Sequence, residues 1–179
     1  MADQTVEHVF LTSAIARLSY YKELGDKTFT QLIEADFHFK PGSESNSIAI
    51  IIQHVAGNML SRWTDFLTAD GEKAWRNRDA EFAGQNLTKQ ELIELWNQGW
   101  DCCLGSLKAL TADDLLKTIH IRNEGLLAID AVNRQLAHYP YHVGQIVYLA
   151  KMIRDEHWQT LSIARGQSEQ FNRQMKSKN

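Results

Sequence analysis

The segment Val132-Asn133-Arg134-Gln135-Leu136-Ala137-His138-Tyr139-Pro140-Tyr141-His142-Val143-Gly144-Gln145-Ile146-Val147-Tyr148-Leu149-Ala150 decides the fold class. Its apolar residues Val132, Leu136, Tyr139, Val143, Ile146, Val147 and Ala150 step by three and four, the period of a helix with one buried face. A helix over about Ala128–Ile153 follows. His138 and His142 are four residues apart, so that helix presents both imidazoles on one side. Pro140 lies between them. It lacks a backbone N–H, leaves the Leu136 carbonyl without its helical donor, and predicts a kink or a helix start nearby.

Working outward, the same period recurs three times. Ile48, Ile51, Ile52, Val55, Met59, Trp63, Phe66 and Leu67 predict a helix from Ile48 to about Leu67, capped by Ser47 or Asn46. Thr88 followed by Glu91 is a capping box. It opens a helix through Leu92, Leu95, Trp96, Gly99, Cys103 and Leu107 to about Leu110. Phe10, Ala14, Leu18, Tyr21 and Leu24 predict a first helix over about Thr5–Ala35, weakened or bent at Gly25. Asp70–Asp79 reads as an ordered loop, Leu116–Leu127 as a small hairpin around Arg122–Gly125, and a short tail helix follows Leu161. The expected fold is an all-α four-helix bundle, one domain over residues 1–179, with a small hairpin before the last long helix.

Composition agrees with a globular chain. The 179 residues are 44% hydrophobic and 23% charged, enough to bury a core without covalent staples. The formal net charge of −3 gives no electrostatic reason to expect nucleic acid or an anionic membrane as partner. Cys102 and Cys103 are adjacent and unsuited to a mutual disulfide, which favours a reducing compartment. Met1–His8 has no apolar signal-peptide core, and no run reaches the length of a spanning helix. The expected location is cytoplasmic. Cys102 and Cys103 read as buried inert thiols, and Trp63, Trp75, Trp96 and Trp100 as core or interface.

His54 carries the chemistry further. On a helical wheel it flanks Ile51 and Val55 as His142 flanks Tyr139 and Val143, so two helices carry histidine at the same edge of their buried seams. Two such edges can meet in a bundle interior. Three neutral imidazoles suit one divalent metal, with zinc, nickel or iron the leading choices, and leave open positions, as catalytic rather than structural sites do. Asn58 and Gln145 are spaced to orient a ligand or a bound water, or to hydrogen-bond helix to helix. Arg62, Arg76 and Arg78 are suited to grip a substrate carboxylate, or to pair with Asp65, Asp79 and Glu81. No residue is assigned a catalytic role. The motifs His-Glu-x-x-His, Glu-x-x-His, Gly-x-Gly-x-x-Gly and Gly-x-Ser-x-Gly are missing, against a zincin, a ferritin-like di-iron protein, a dinucleotide enzyme and an α/β-hydrolase.

The residues Gln53-His54-Val55-Ala56-Gly57-Asn58-Met59 and His138-Tyr139-Pro140-Tyr141-His142-Val143-Gly144-Gln145-Ile146 resemble the DinB-like superfamily, also called YfiT-like or bacillithiol-transferase-like. Ser61–Phe66 and Trp75–Asp79 look like a branch of it found in bacilli. The resemblance spans nearly the whole chain. It implies an up-down-down-up bundle and a metal held by His54, His138 and His142. It also implies kinship with thiol-dependent transferases or isomerases that use a metal to activate a low-molecular-weight thiol; the leading expectation here is a metal-dependent thiol transferase or hydrolase acting on a small molecule. The competing expectation is a non-catalytic, stress-related or structural metal-binding homodimer. Pro140 departs from the pattern and bears on helix geometry more than on ligand identity.

Overall fold

A computed structural model describes residues 5–177. Part of the N-terminal stretch read as lacking a signal-peptide core (residues 1–4) and residues 178–179 lie outside the described residues. The elements in chain order are α1 (Val6–Phe29), α2 (Glu34–His38), α3 (Ile48–Trp63), α4 (Arg78–Ala83), α5 (Lys89–Ala109), β1 (Thr118–Ile121), β2 (Glu124–Leu127), α6 (Ala128–Arg154) and α7 (Ser168–Lys176). The fold is the expected all-α bundle, built from α1, α3, α5 and α6 with the hairpin before the last long helix. Among the described residues no helix is long and apolar enough to cross a membrane.

Local chemistry sets the helix starts. Ser47 Oγ accepts from Ile50 N–H and caps α3; Thr88 and Glu91 form the reciprocal capping box of α5. Two ends differ from the periodicity. The first helix stops at Phe29 instead of Ala35, because the chain turns at Thr30 and re-enters as the short α2. Leu32 and Phe37 stay buried beyond that turn, which is why the apolar pattern runs on. The second predicted helix stops at Trp63: Asp65 takes a left-handed φ of 50°, which no helix accommodates, although Phe66 beyond it is buried. Arg78 and Asp79, read as loop, open α4. Gly25 does not mark a break, since α1 runs through it. It lets the Trp96 indole approach; a Cβ there would sit 3.0 Å from Trp96 Cη2. The hairpin turns on Arg122 and Asn123, both left-handed, with Ile121 paired to Glu124, the two-residue type I′ geometry.

Helix α6 continues through Pro140, so the expected start there does not occur and the His138–His142 spacing is kept. Trp63, Trp96 and Trp100 are core residues, but Trp75 is 61% exposed. Cys103 is buried, and Cys102 is half-buried with its Sγ 3.6 Å from Thr64 Oγ1.

Contacts fix the helix directions. Gly99 abuts Ala56 and Ser106 bonds to the Trp63 carbonyl, so α3 and α5 run parallel. Phe29 meets Trp96 while Leu32 meets Lys89, so α1 opposes α5. His54 faces His142 while Trp63 and Asn58 bond Tyr139, so α6 opposes α3. The order is up-down-down-up. A parallel pair needs a long return connection, and residues 64–88 provide it. That crossover lies along α3, where α4 packs, and supplies one wall of the site below.

Candidate metal centre

Helix α3 presents His54, Asn58 and Arg62 at successive turns, and α6 presents Arg134, His138 and His142 at the same spacing. Because the two helices are antiparallel neighbours, these edges meet. The rings of His54 and His142 lie 5.0 Å apart between centroids, those of His54 and His138 5.6 Å, and those of His138 and His142 4.7 Å. One ring nitrogen from each of the three falls within 4.8 Å of the others.

Each Nδ1 is engaged by an oxygen. That of His54 faces Glu81 Oε2 at 3.0 Å, that of His138 faces Gln135 Oε1 at 3.2 Å, and that of His142 faces Gln145 Oε1 at 2.8 Å. An oxygen acceptor places the proton on Nδ1 and leaves Nε2 as a lone pair, the arrangement typical of metal-ligating histidine. The Nε2 atoms of His138 and His142 stand 3.1 Å apart. With both Nδ1 protonated, neither Nε2 has a hydrogen to offer the other, and a shared cation suits the pair. Burial, then His142 and His54, hold His138 down at about 3; burial also lowers His142. At neutral pH a proton is therefore not held between them. Two nitrogens each ~2.1 Å from a zinc-like ion and this far apart would subtend about 95°, between octahedral and tetrahedral angles. The donor set fits one divalent metal.

The crossover orients His54. Glu81 receives Arg76 Nε at 2.8 Å on one oxygen and Arg76 Nη2 at 3.0 Å on the other, which also faces His54. Those contacts keep its carboxyl below the ordinary range against the opposing effect of burial. Arg62 donates to the Gly71 carbonyl and to Glu72 Oε2, the latter at 3.0 Å. Arg122 Nε reaches the same Glu72 oxygen at 3.1 Å. Asp70 accepts from the backbone of Asn123, Glu72 and Arg122, fastening the hairpin turn to the crossover. Above the histidines opens a cavity of about 340 Å³ lined by His54, Asn58, Arg62, Arg76, Arg78, Arg122, Arg134, Gln135 and His138.

The structure thus brings His54, His138 and His142 together and puts Asn58, Arg62, Arg76 and Arg78 on the cavity wall. Asn58 accepts from Tyr139 Oη at 3.1 Å. Gln145 holds His142 from behind, on a separate surface cleft. Arg62 and Arg76 are committed to Glu72 and Glu81; Asp65 and Asp79 are not their partners. Arg78 lies over the Phe82 ring, 4.8 Å from its centroid. Reading the sequence missed Gln135, Glu72, Arg122 and Arg134; it named Glu81 as an arginine partner, which it is to Arg76, but not as the group that faces His54. Gln135 and Arg134 had a signal, at three and four residues before His138. Glu81 is 27 positions from His54, with no periodicity to link them.

No curated protein matches the chain. A family profile described as "Protein of unknown function (DUF1572)" matches residues 5–167, nearly all of the chain, and the protein belongs to that family.

Proposed function

We propose that the chain is a metal-dependent enzyme of the DinB-like superfamily, in its bacilli-type branch, that transfers a low-molecular-weight thiol to a small molecule or hydrolyses one. The observation that carries this reading is the convergence of one ring nitrogen from each of three histidines, every Nδ1 facing an oxygen, beside a cavity of substrate size lined by His54 and His138. His54, His138 and His142 would hold one zinc, nickel or iron ion. Such an ion supplies the Lewis acidity that makes a thiol or water nucleophilic near neutral pH. Glu81, Gln135 and Gln145 fix the tautomer and tilt of the rings. Asn58 offers a polar side chain beside them.

The test is elemental analysis of the purified protein alongside a variant with His54, His138 and His142 all changed to alanine. One metal per chain is expected, and its loss in the variant. Stoichiometric metal retained by the triple variant would sink the idea. A second reading, a non-catalytic stress-related or structural metal-binding homodimer, is favoured by one observation: no carboxylate is among the cavity-lining residues, and Glu81 is fully engaged by Arg76 and His54. Metal-loaded protein that turns over no pairing of a bacillithiol-like thiol with an electrophile, and that sediments as a dimer, would decide for it.

A further inference from the structure

The guanidinium groups around the cavity fall into two tiers. The deep ones, Arg62 and Arg76, have side chains 6% and 2% exposed and are matched by Glu72 and Glu81. The rim is different. Arg122 shares Glu72 with Arg62, while Arg78 and Arg134, among the described residues, have no carboxylate within ion-pair range and are exposed at the mouth. Five cationic side chains therefore converge on one cavity that engages two carboxylates. Like charges crowded in this way repel, and they raise the local concentration of anions.

The two rim groups are also oriented. The Arg78 guanidinium carbon lies over the Phe82 ring, 4.8 Å from its centroid, and that ring in turn packs 4.8 Å from the His54 ring, centroid to centroid. Attraction of a guanidinium to a ring face occupies no oxygen acceptor, so its N–H donors stay available to fork onto carboxylate or phosphate oxygens. Arg134 projects from α6 one turn before His138, on the same side of the helix. The groups approach from different elements, α4 and α6, above the histidine floor.

We propose that Arg78 and Arg134 form an oxyanion subsite that grips a carboxylate or phosphate group of a small substrate and points the rest of the molecule at His54, His138 and His142. The proposal rests on reading the cavity as the substrate site, and it moves recognition away from Arg62 and Arg76. Their guanidinium groups already have carboxylate partners; they brace the wall.

The experiment titrates the full chain, stripped with a chelator, with inorganic phosphate and separately with malonate, by calorimetry at low and high salt. Saturable one-to-one binding of at least one anion is expected, weakened at high salt. Phosphate preferred over malonate assigns a phosphate ester, and the reverse assigns a carboxylate. Arg78→Gln and Arg134→Gln should each weaken binding at least tenfold, whereas Arg165→Gln, on the exposed tail, should not change it. Failure of both anions to saturate, or equal binding by the double Arg78→Gln, Arg134→Gln variant, would overturn the subsite. Elemental analysis of the unstripped parent, run beside the titration, separates this proposal from the metal reading. Anion binding by a parent that takes up no metal would leave the subsite standing and remove the metal.

Discussion

The Glu81 carboxylate occupies the space that a side chain at position 57 would need: a Cβ built on Gly57 would sit 2.9 Å from Glu81 Cδ. Glu81 cannot simply swing aside, because Arg76 holds both of its oxygens. Gly57→Ala should therefore separate Glu81 from His54 while leaving α3 intact, since alanine favours helix over glycine by about 1 kcal/mol. Loss of such an outer partner typically costs about 10–100-fold in metal affinity. A chelator competition should show that drop with an unchanged helical circular-dichroism signal. Unchanged affinity would mean that Glu81 does not orient His54.

His138 gives the chelated protein a pH signature. Burial, His142 and His54 hold its folded value at about 3, below the ordinary ~6.5 of the unfolded chain. Between those values the unfolded state binds more protons, so stability rises with pH. The full stability is present above about 6.5 and is lost progressively as pH falls towards 3. Carboxylates titrate below about 4.5, so the window from 4.5 to 6.5 belongs to histidine. Urea midpoints across it should rise with pH in the parent and more gently in His138→Gln. Equal slopes would show that His138 is not held neutral.

The bundle was legible where one residue type decides the outcome. Ser47 and Thr88 mark helix starts because their side chains satisfy backbone donors locally, and the stripes of α3, α5 and α6 face a single core. Helix ends were harder to read, since burial continues past them: Leu32, Phe37 and Phe66 keep the apolar rhythm on chain that has already turned. Pro140 pointed the other way, to a break that the packing of Tyr139 and Val143 on both sides overrides. The three histidines could be anticipated because each sits at the edge of a readable stripe. Glu72 could not, and Glu81 could be read only as a partner for an arginine, not as the group behind His54. They lie on the crossover, where position depends on ion pairs with Arg76, Arg62 and Arg122 instead of on a period.

Asp70 is the latch between crossover and hairpin. The N–H groups of Asn123 and Glu72, then Arg122, draw its carboxyl down to about 2. A carboxylate depressed in this way stabilises the fold above its ordinary ~3.9, and that contribution fades as pH falls through about 2. Asp70→Ala should release the turn that carries Arg122. Amide exchange at Arg122 and Asn123 should quicken, with a lower melting temperature at neutral pH that converges on the parent's towards pH 2. Unaltered protection of both amides would show that the turn holds itself.

Tyr139 ties the core to the site. It is fully buried, its hydroxyl accepts from Trp63 Nε1 at 3.0 Å, and it donates to Asn58 Oδ1 at 3.1 Å. Tyr139→Phe keeps the ring and removes only the oxygen, which strands a buried indole N–H and an amide carbonyl. Each buried group left unpaired costs about 1–3 kcal/mol, so the variant should lose roughly 2 kcal/mol or more in urea denaturation. Its metal stoichiometry should be unchanged, because no histidine is tied to this hydroxyl. Adding Asn58→Leu removes one stranded partner and should recover part of the loss. If Tyr139→Phe is as stable as the parent, water has replaced the hydroxyl, and the link from core to cavity is not structural.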